Sequence, residues 1–258
     1  PFPRRARLSP DAFYLKQLFT RKLYEMSIER RAVDLVMSGL QEHFTLTELE
    51  QAIAETRRRN PDALRLEQTI EGIRWLAREN YQLRLPEDAH ISQVVIFPQS
   101  DNERRGIEDL RMVRFVDDDG SVVYYGTYSA YDGYRVLPQL MESSDLHHIN
   151  IHTMNGACAQ NKGMALFPRR IGGHYVMCSR IDGVNLHIMV SDIVQFWETA
   201  RVLRTPKHPW EFMQIGNCGS PIETEAGWLL LTHGVGPMRT YSIGAMLLDC
   251  NDPLKVIG

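Results

Sequence analysis

No apolar run in the 258 residues approaches the roughly 20 that a membrane-spanning helix needs, so no membrane partner is expected. Charge of one sign is lacking too. The 29 basic and 32 acidic side chains leave −3, with no basic field for nucleic acid and no polybasic face for lipid. There are only four cysteines, Cys158, Cys178, Cys218 and Cys250, far apart and without a C-x-x-C pair. That spacing argues against zinc, and no metal is expected. Free thiols in a reducing, cytoplasmic compartment follow, although the even count is also compatible with one disulfide. The chain has no initiator methionine and stops at Val256-Ile257-Gly258 directly after an apparent strand, so it reads as an internal piece of a longer protein. Its 43% hydrophobic content is enough for a sizeable core.

Residues from about 11 to about 80 read as helices, and 1–93 as a helical accessory segment. Phe13, Leu15, Leu18, Phe19, Leu23 and Met26 mark an apolar face, and Ala32, Val33, Leu35, Val36 and Leu40 continue it after a break. Thr45-Leu46-Thr47-Glu48 reads as a capped helix start and Asn60-Pro61-Asp62 as a stop. The Arg57-Arg58-Arg59 run reads as a solvated helix end before it reads as a binding patch.

From about residue 94 the hydrophobic period becomes strand-like. Met112 to Val116 and Val122 to Tyr125 flank Asp117-Asp118-Asp119-Gly120, a hairpin signal whose acids suit a turn better than a calcium loop. Ala165 to Pro168 and Tyr175 to Met177 flank Gly172-Gly173; Ile222 and Trp228 to Leu231 flank Ala226-Gly227. These turns recur at about 53 residues, the length of a four-stranded propeller blade; a β-sandwich would turn more often. The expected fold is therefore mainly β, with 94–258 forming about three blades of an incomplete β-propeller.

Candidate chemistry falls at corresponding blade positions. Glu108-Asp109-Leu110-Arg111 is either an acid held by a cation or a salt-bridged turn. Asn161-Lys162 opens the next blade, Arg180 ends its second strand, and His233 lies where an apolar strand gives way to a Gly-rich loop near Arg239 and Tyr241. Lys162, Arg180 and His233 meeting at a central channel would suit phosphate or another oxyanion. The adjacent pair His147-His148 is a poor metal site, because neighbouring strand residues face opposite sides. The tyrosine-rich stretch Tyr124 to Tyr134 should bury some rings and leave others where sugars stack.

Gly106-Ile107-Glu108-Asp109-Leu110-Arg111, Asn161-Lys162-Gly163-Met164-Ala165-Leu166-Phe167-Pro168, Gly219-Ser220-Pro221-Ile222-Glu223-Thr224 and His233-Gly234 through Tyr241-Ser242-Ile243-Gly244-Ala245 together resemble glycoside hydrolase family 130, the β-mannoside phosphorylases and related hydrolases. The resemblance implies a five-bladed propeller. It implies inverting phosphorolysis of β-linked manno-oligosaccharides to α-mannose 1-phosphate, with inorganic phosphate as co-substrate and no cofactor. It places the general acid on Asp109, acting through a sugar hydroxyl, and phosphate binding on Lys162, Arg180, His233 and Tyr241. Sugar contacts are expected from Glu108, Arg111, Asp132, Asn161 and Glu223. Leu110 stands where the family often has proline, which makes the turn less rigid. A phosphorylase needs one acid and cations for its nucleophile, whereas an inverting hydrolase needs a second carboxylate, here Glu108, Glu223 or Glu225. The alternatives are thus a β-mannoside hydrolase or a non-catalytic carbohydrate-binding propeller. The helical segment is expected either to pack on the propeller or to mediate homo-oligomer assembly.

Overall fold

The computed structural model describes residues 4–10, 13–60, 65–88 and 90–258. Helices come first: α1 Lys16–Glu25, α2 Arg30–Met37, α3 Leu46–Arg59 and α4 Leu66–Glu79. Thr45 caps α3 through a capping box, its hydroxyl accepting from the Glu48 N–H at 3.3 Å while the Glu48 carboxylate accepts from the Thr45 N–H at 2.8 Å. Asn60 ends that helix; Pro61 and Asp62 of the expected stop lie outside the described residues. Arg57, Arg58 and Arg59 pair with Glu67 and Glu55, so the basic run is a salt-bridged helix end. The apolar face of α1 begins later than its spacing suggests. Leu18, Phe19 and Leu23 are buried, whereas Phe13 and Leu15 precede the helix and are exposed. The bundle has its own core, built on Phe19, Leu23, Val33, Phe44, Ile53 and Ile73.

Three sheets follow. The first contains β1 Arg7–Pro10, β2 Tyr81–Arg84, β3 Ile107–Val116, β4 Val122–Tyr131, β5 Val136–Ser143 and β6 His148–Thr153, in the order β1-β2-β6-β5-β4-β3. The second is the antiparallel meander β7 Lys162–Leu166, β8 Tyr175–Arg180, β9 Leu186–Ser191 and β10 Ala200–Arg204. In the third, β11 Gln214–Asn217 and β12 Ile222–Thr224 both pair with β13 Gly227–Val235, whose other edge carries β14 Tyr241–Leu248. The Asp117–Gly120 and Gly172-Gly173 turns join β3 to β4 and β7 to β8, and the turn at Glu225-Ala226 joins β12 to β13. The chain is mainly β. Phe115, Leu140, Met177 and Trp197 fill the space between the first two sheets; Phe167, Val176, Ile215 and Trp228 fill the space between the second and third.

Strands β1 and β2 come from before residue 94 yet extend the first sheet, β2 pairing with β6 from Tyr81–Ile151 to Arg84–His148. The helical bundle is tied to this sheet through α4, which runs into β2. At the junction the Asn80 amide donates to the Leu76 carbonyl at 2.8 Å and its oxygen accepts from the Thr153 N–H at 2.9 Å.

Glu79, the last residue of α4, is fully buried and accepts from the Asn102 N–H at 3.2 Å. Burial, reinforced by Glu103 and Asp101, pushes its carboxyl up to about 7. A raised carboxyl stabilises the fold in its neutral form. That contribution is complete below the unfolded value near 4.5 and is lost as pH rises through about 7. The loss is about 3 kcal/mol. Glu79→Gln keeps the shape without the charge. It should melt about 5–10 °C above the parent at about pH 8 and close to it at about pH 4.5, as read by thermal denaturation across pH.

Candidate active site

Strands β3, β7 and β11 lie side by side on the inner edges of the three sheets. A parallel bridge joins Val116 to Arg169 at one end, and the guanidinium of Arg111 joins all three strands near the other. Its Nη1 donates to the Gly163 carbonyl at 3.2 Å and the Asn217 carbonyl at 2.8 Å. Arg111 therefore braces the site through backbone carbonyls, where a sugar contact was expected.

Asp109 sits in a β-bulge. Glu108 pairs with Ser129 and Arg111 with Thr127, so two residues of β3 oppose one of β4. Its φ of 60° lies in the left-handed region, which a short polar side chain tolerates and a bulge uses to re-aim a residue. Asp109 lines a narrow gap together with Asn161 and Lys162, and its charge acts on Arg111, Arg180 and His233.

Those groups form a compact cradle. Lys162 and Arg180 are register partners on β7 and β8. Arg180 Nη1 lies 3.3 Å from His233 Nε2, and the His233 and Tyr241 rings are 6.0 Å apart. With its amide assigned from the hydrogen-bond network, Gln214 accepts from Arg180 Nη1 at 2.9 Å and donates to the Gly183 carbonyl at 3.1 Å. Gly216 is the register partner of His233, and a Cβ there would stand 2.9 Å from the His233 ring and 3.2 Å from Arg180 Nη1. The absent side chain is what lets the imidazole and the guanidinium meet. Sequence reasoning missed Gln214 and Gly216; a glycine inside a short strand was the available signal.

Burial pulls both guanidinium groups below their ordinary value, and Asp109 opposes it; both remain cationic at neutral pH. His233 is also lowered, first by burial and then by Arg180 and Arg111, so its imidazole is neutral at pH 7.

The remaining predicted residues are placed differently. Glu108 is at this rim and forms an ion pair with Lys162. Asn161 turns its amide to the Ile181 carbonyl, 3.4 Å away, bracing the loop after β8. Asp132 spends its carboxylate on its own turn, accepting from the Tyr134 and Arg135 N–H groups at 2.7 Å each. Glu223 makes a two-pronged ion pair with Arg169, at the Trp228 end of the third sheet and away from the cradle. The structure does not bring Asp132 or Glu223 to the basic cluster. Tyr128 is buried and Tyr134 is 87% exposed. Trp210 packs where Gly234 and Gly244 leave room: a Cβ at either would come within 2.7 Å of it. All four cysteines are free, and burial pushes the Cys178 thiol beneath Arg111 up to about 12.

The family model described as beta-1,4-mannooligosaccharide phosphorylase matches residues 64–258. The chain is 33% identical over 174 residues to a 1,2-beta-oligomannan phosphorylase of Thermoanaerobacter sp., covering 65% of this chain and 55% of that one. It is 27% identical over 209 residues to a beta-1,2-mannobiose phosphorylase of Listeria innocua, covering 77% and 57%. The solved Listeria innocua beta-1,2-mannobiose phosphorylase, in complex with beta-1,2-mannobiose, superposes with a TM-score of 0.53 at 26% identity over 68% of this chain and 48% of that one. The chain spans about half the length of these curated relatives. With a match over most of its length, the bulged acid and the basic cradle lie within it, and the chain belongs to glycoside hydrolase family 130.

Proposed function

We propose that this chain belongs to an inverting phosphorylase that cleaves β-mannosides with inorganic phosphate, and that its three sheets are part of a five-bladed propeller. One observation carries the reading: Asp109, in its bulge, lines the same gap as Lys162, whose register partner is Arg180 beside His233. Asp109 is the general acid, protonating the leaving oxygen directly or through a sugar hydroxyl. Arg180, Lys162, His233 and Tyr241 hold the phosphate opposite the leaving group, where positioning and charge stabilisation do most of the catalytic work. Lys162 reaches the phosphate by exchanging its ion pair with Glu108.

Three carboxylates were candidates for the second group that hydrolysis requires. Glu223 is bound to Arg169, Glu108 to Lys162, and Glu225 lies exposed in the hairpin turn after β12. With two of the three held by cations and the third in a solvent-exposed turn, the arrangement favours phosphorolysis. The test is to incubate the protein with β-1,2- or β-1,4-mannobiose, with and without phosphate, and follow mannose 1-phosphate. Release of sugar phosphate only when phosphate is present is expected. Equal mannose release in its absence would overturn the reading in favour of hydrolysis.

A further inference from the structure

Behind the first sheet, away from the cradle, the helical bundle and the sheet enclose a hollow of about 400 Å³, within the range of small-ligand sites. Strand alternation decides what the sheet presents there. Ile149, Ile151, Leu83 and Met141 point to the opposite face and fill a core with Tyr81 and Tyr128. Their alternates Gln82, Asn150, Glu142 and His152 line the hollow, with Asn150 in register with both Gln82 and Glu142. The bundle contributes Leu15, Leu18, Phe19 and Leu76, and at the edge Phe13, 58% exposed and edge-to-face with His43 at 5.9 Å.

This is an unusual way to join two packed units. An interface made only for stability would bury apolar side chains, since polar groups sealed from water cost free energy unless they are paired. At the back of the hollow, Asn155 is 3% exposed and its Oδ1 has no partner, while its amide nitrogen reaches only the Gln195 carbonyl at 3.4 Å. A buried acceptor left without a partner in the lining is what a donor on a ligand would satisfy.

The chemistry of the lining selects the ligand class. Side-chain amides both donate and accept, as hydroxyl groups do. Burial holds the His152 imidazole down to about 4, so it is neutral at pH 7, and Glu142 lies 4.0 Å from it. One carboxylate repels an anion and is too few ligands for a hard dication. An exposed aromatic ring at the mouth offers an apolar face to a sugar ring. We propose that this seam is a second saccharide-binding site that takes a neutral oligosaccharide, with the Gln82, Asn150 and Asn155 amides bonding hydroxyls and Phe13 packing on a pyranose. The seam site does not depend on the phosphorylase reading, and it would anchor a long glycan away from the cradle.

The test follows side-chain amide resonances of isotope-labelled protein during titration with β-mannotetraose, cellotetraose and xylotetraose. At least one tetraose should shift the Gln82, Asn150 and Asn155 amides, with millimolar or tighter affinity. Phe13→Ala, which removes an exposed ring, and Asn150→Asp, which keeps the shape, should each weaken that binding about tenfold or more. Phosphate-dependent turnover of mannobiose should persist in both variants. Shifts confined to β3, β7 and β11, or seam shifts that neither variant weakens, would overturn the proposal; so would no shift with any tetraose. Seam binding without turnover would instead count against the catalytic reading alone.

Discussion

Asp109→Asn should lower phosphorolysis of mannobiose by about 10²–10⁴-fold, the usual contribution of a general acid, and leave the melting midpoint where it was. The substitution is informative because of the backbone. At φ 60° asparagine is tolerated as well as aspartate, so the bulge on β3 keeps its shape. Only the acidic proton is removed. Asp109→Ala is the contrasting control: it removes the same acid and adds about 1–2 kcal/mol of backbone cost, so a lowered midpoint should accompany the lost rate. If Asp109→Asn kept most of the parent rate, the acid would have to be sought elsewhere. Glu108 would then be next, freed from Lys162 by phosphate.

What could be read in the sequence follows from how local each feature is. The hairpins at Gly120, Gly173 and Gly227 join strands adjacent in the chain, and a turn plus alternating apolar residues specifies such a pair. The capping box at Thr45 is equally local. The extension of the first sheet by β1 and β2 was not legible. Arg7–Pro10 and Tyr81–Arg84 are four residues each, and β2 finds its partner β6 more than sixty residues downstream. The same limit applies to the site. Asp109, Lys162, Arg180 and His233 could be named from motifs and blade positions. The partnership of Glu223 with Arg169, and that of Arg111 with two carbonyls, depends on contacts 52 to 106 residues apart. Type and spacing indicated that these side chains are polar and near a blade edge. Their use as braces is set by tertiary packing, as Phe13 and Leu15 also show: on a helical wheel they belong to the core, and in the fold they lie outside it.

Arg180→Ala should weaken phosphate use by about 10²–10³-fold in kcat/KM, with a much smaller change in mannobiose KM, because it removes a half-buried charge-assisted donor to the dianion. Arg180→Lys should recover part of this, since it restores the charge but not the planar fork. The contact with His233 gives the prediction a second readout. A guanidinium can only donate, so at 3.3 Å from Arg180 Nη1 the His233 Nε2 must accept, which puts the imidazole proton on Nδ1. An unprotonated phosphate oxygen is an acceptor, so Nε2 can bond one only after gaining a proton. Binding phosphate should therefore take up a proton at His233, and affinity should fall by up to about tenfold per unit as pH rises past the range where the ring is charged. Arg180 is one reason that range lies below the ordinary histidine value; without it the ring should titrate higher and take up less of a proton on binding near neutral pH. Calorimetric titrations of phosphate in buffers of different ionisation heat measure that proton directly. Equal proton uptake in parent and Arg180→Ala would show that the guanidinium does not set the charge of the imidazole, and the cradle would then be a set of independent donors.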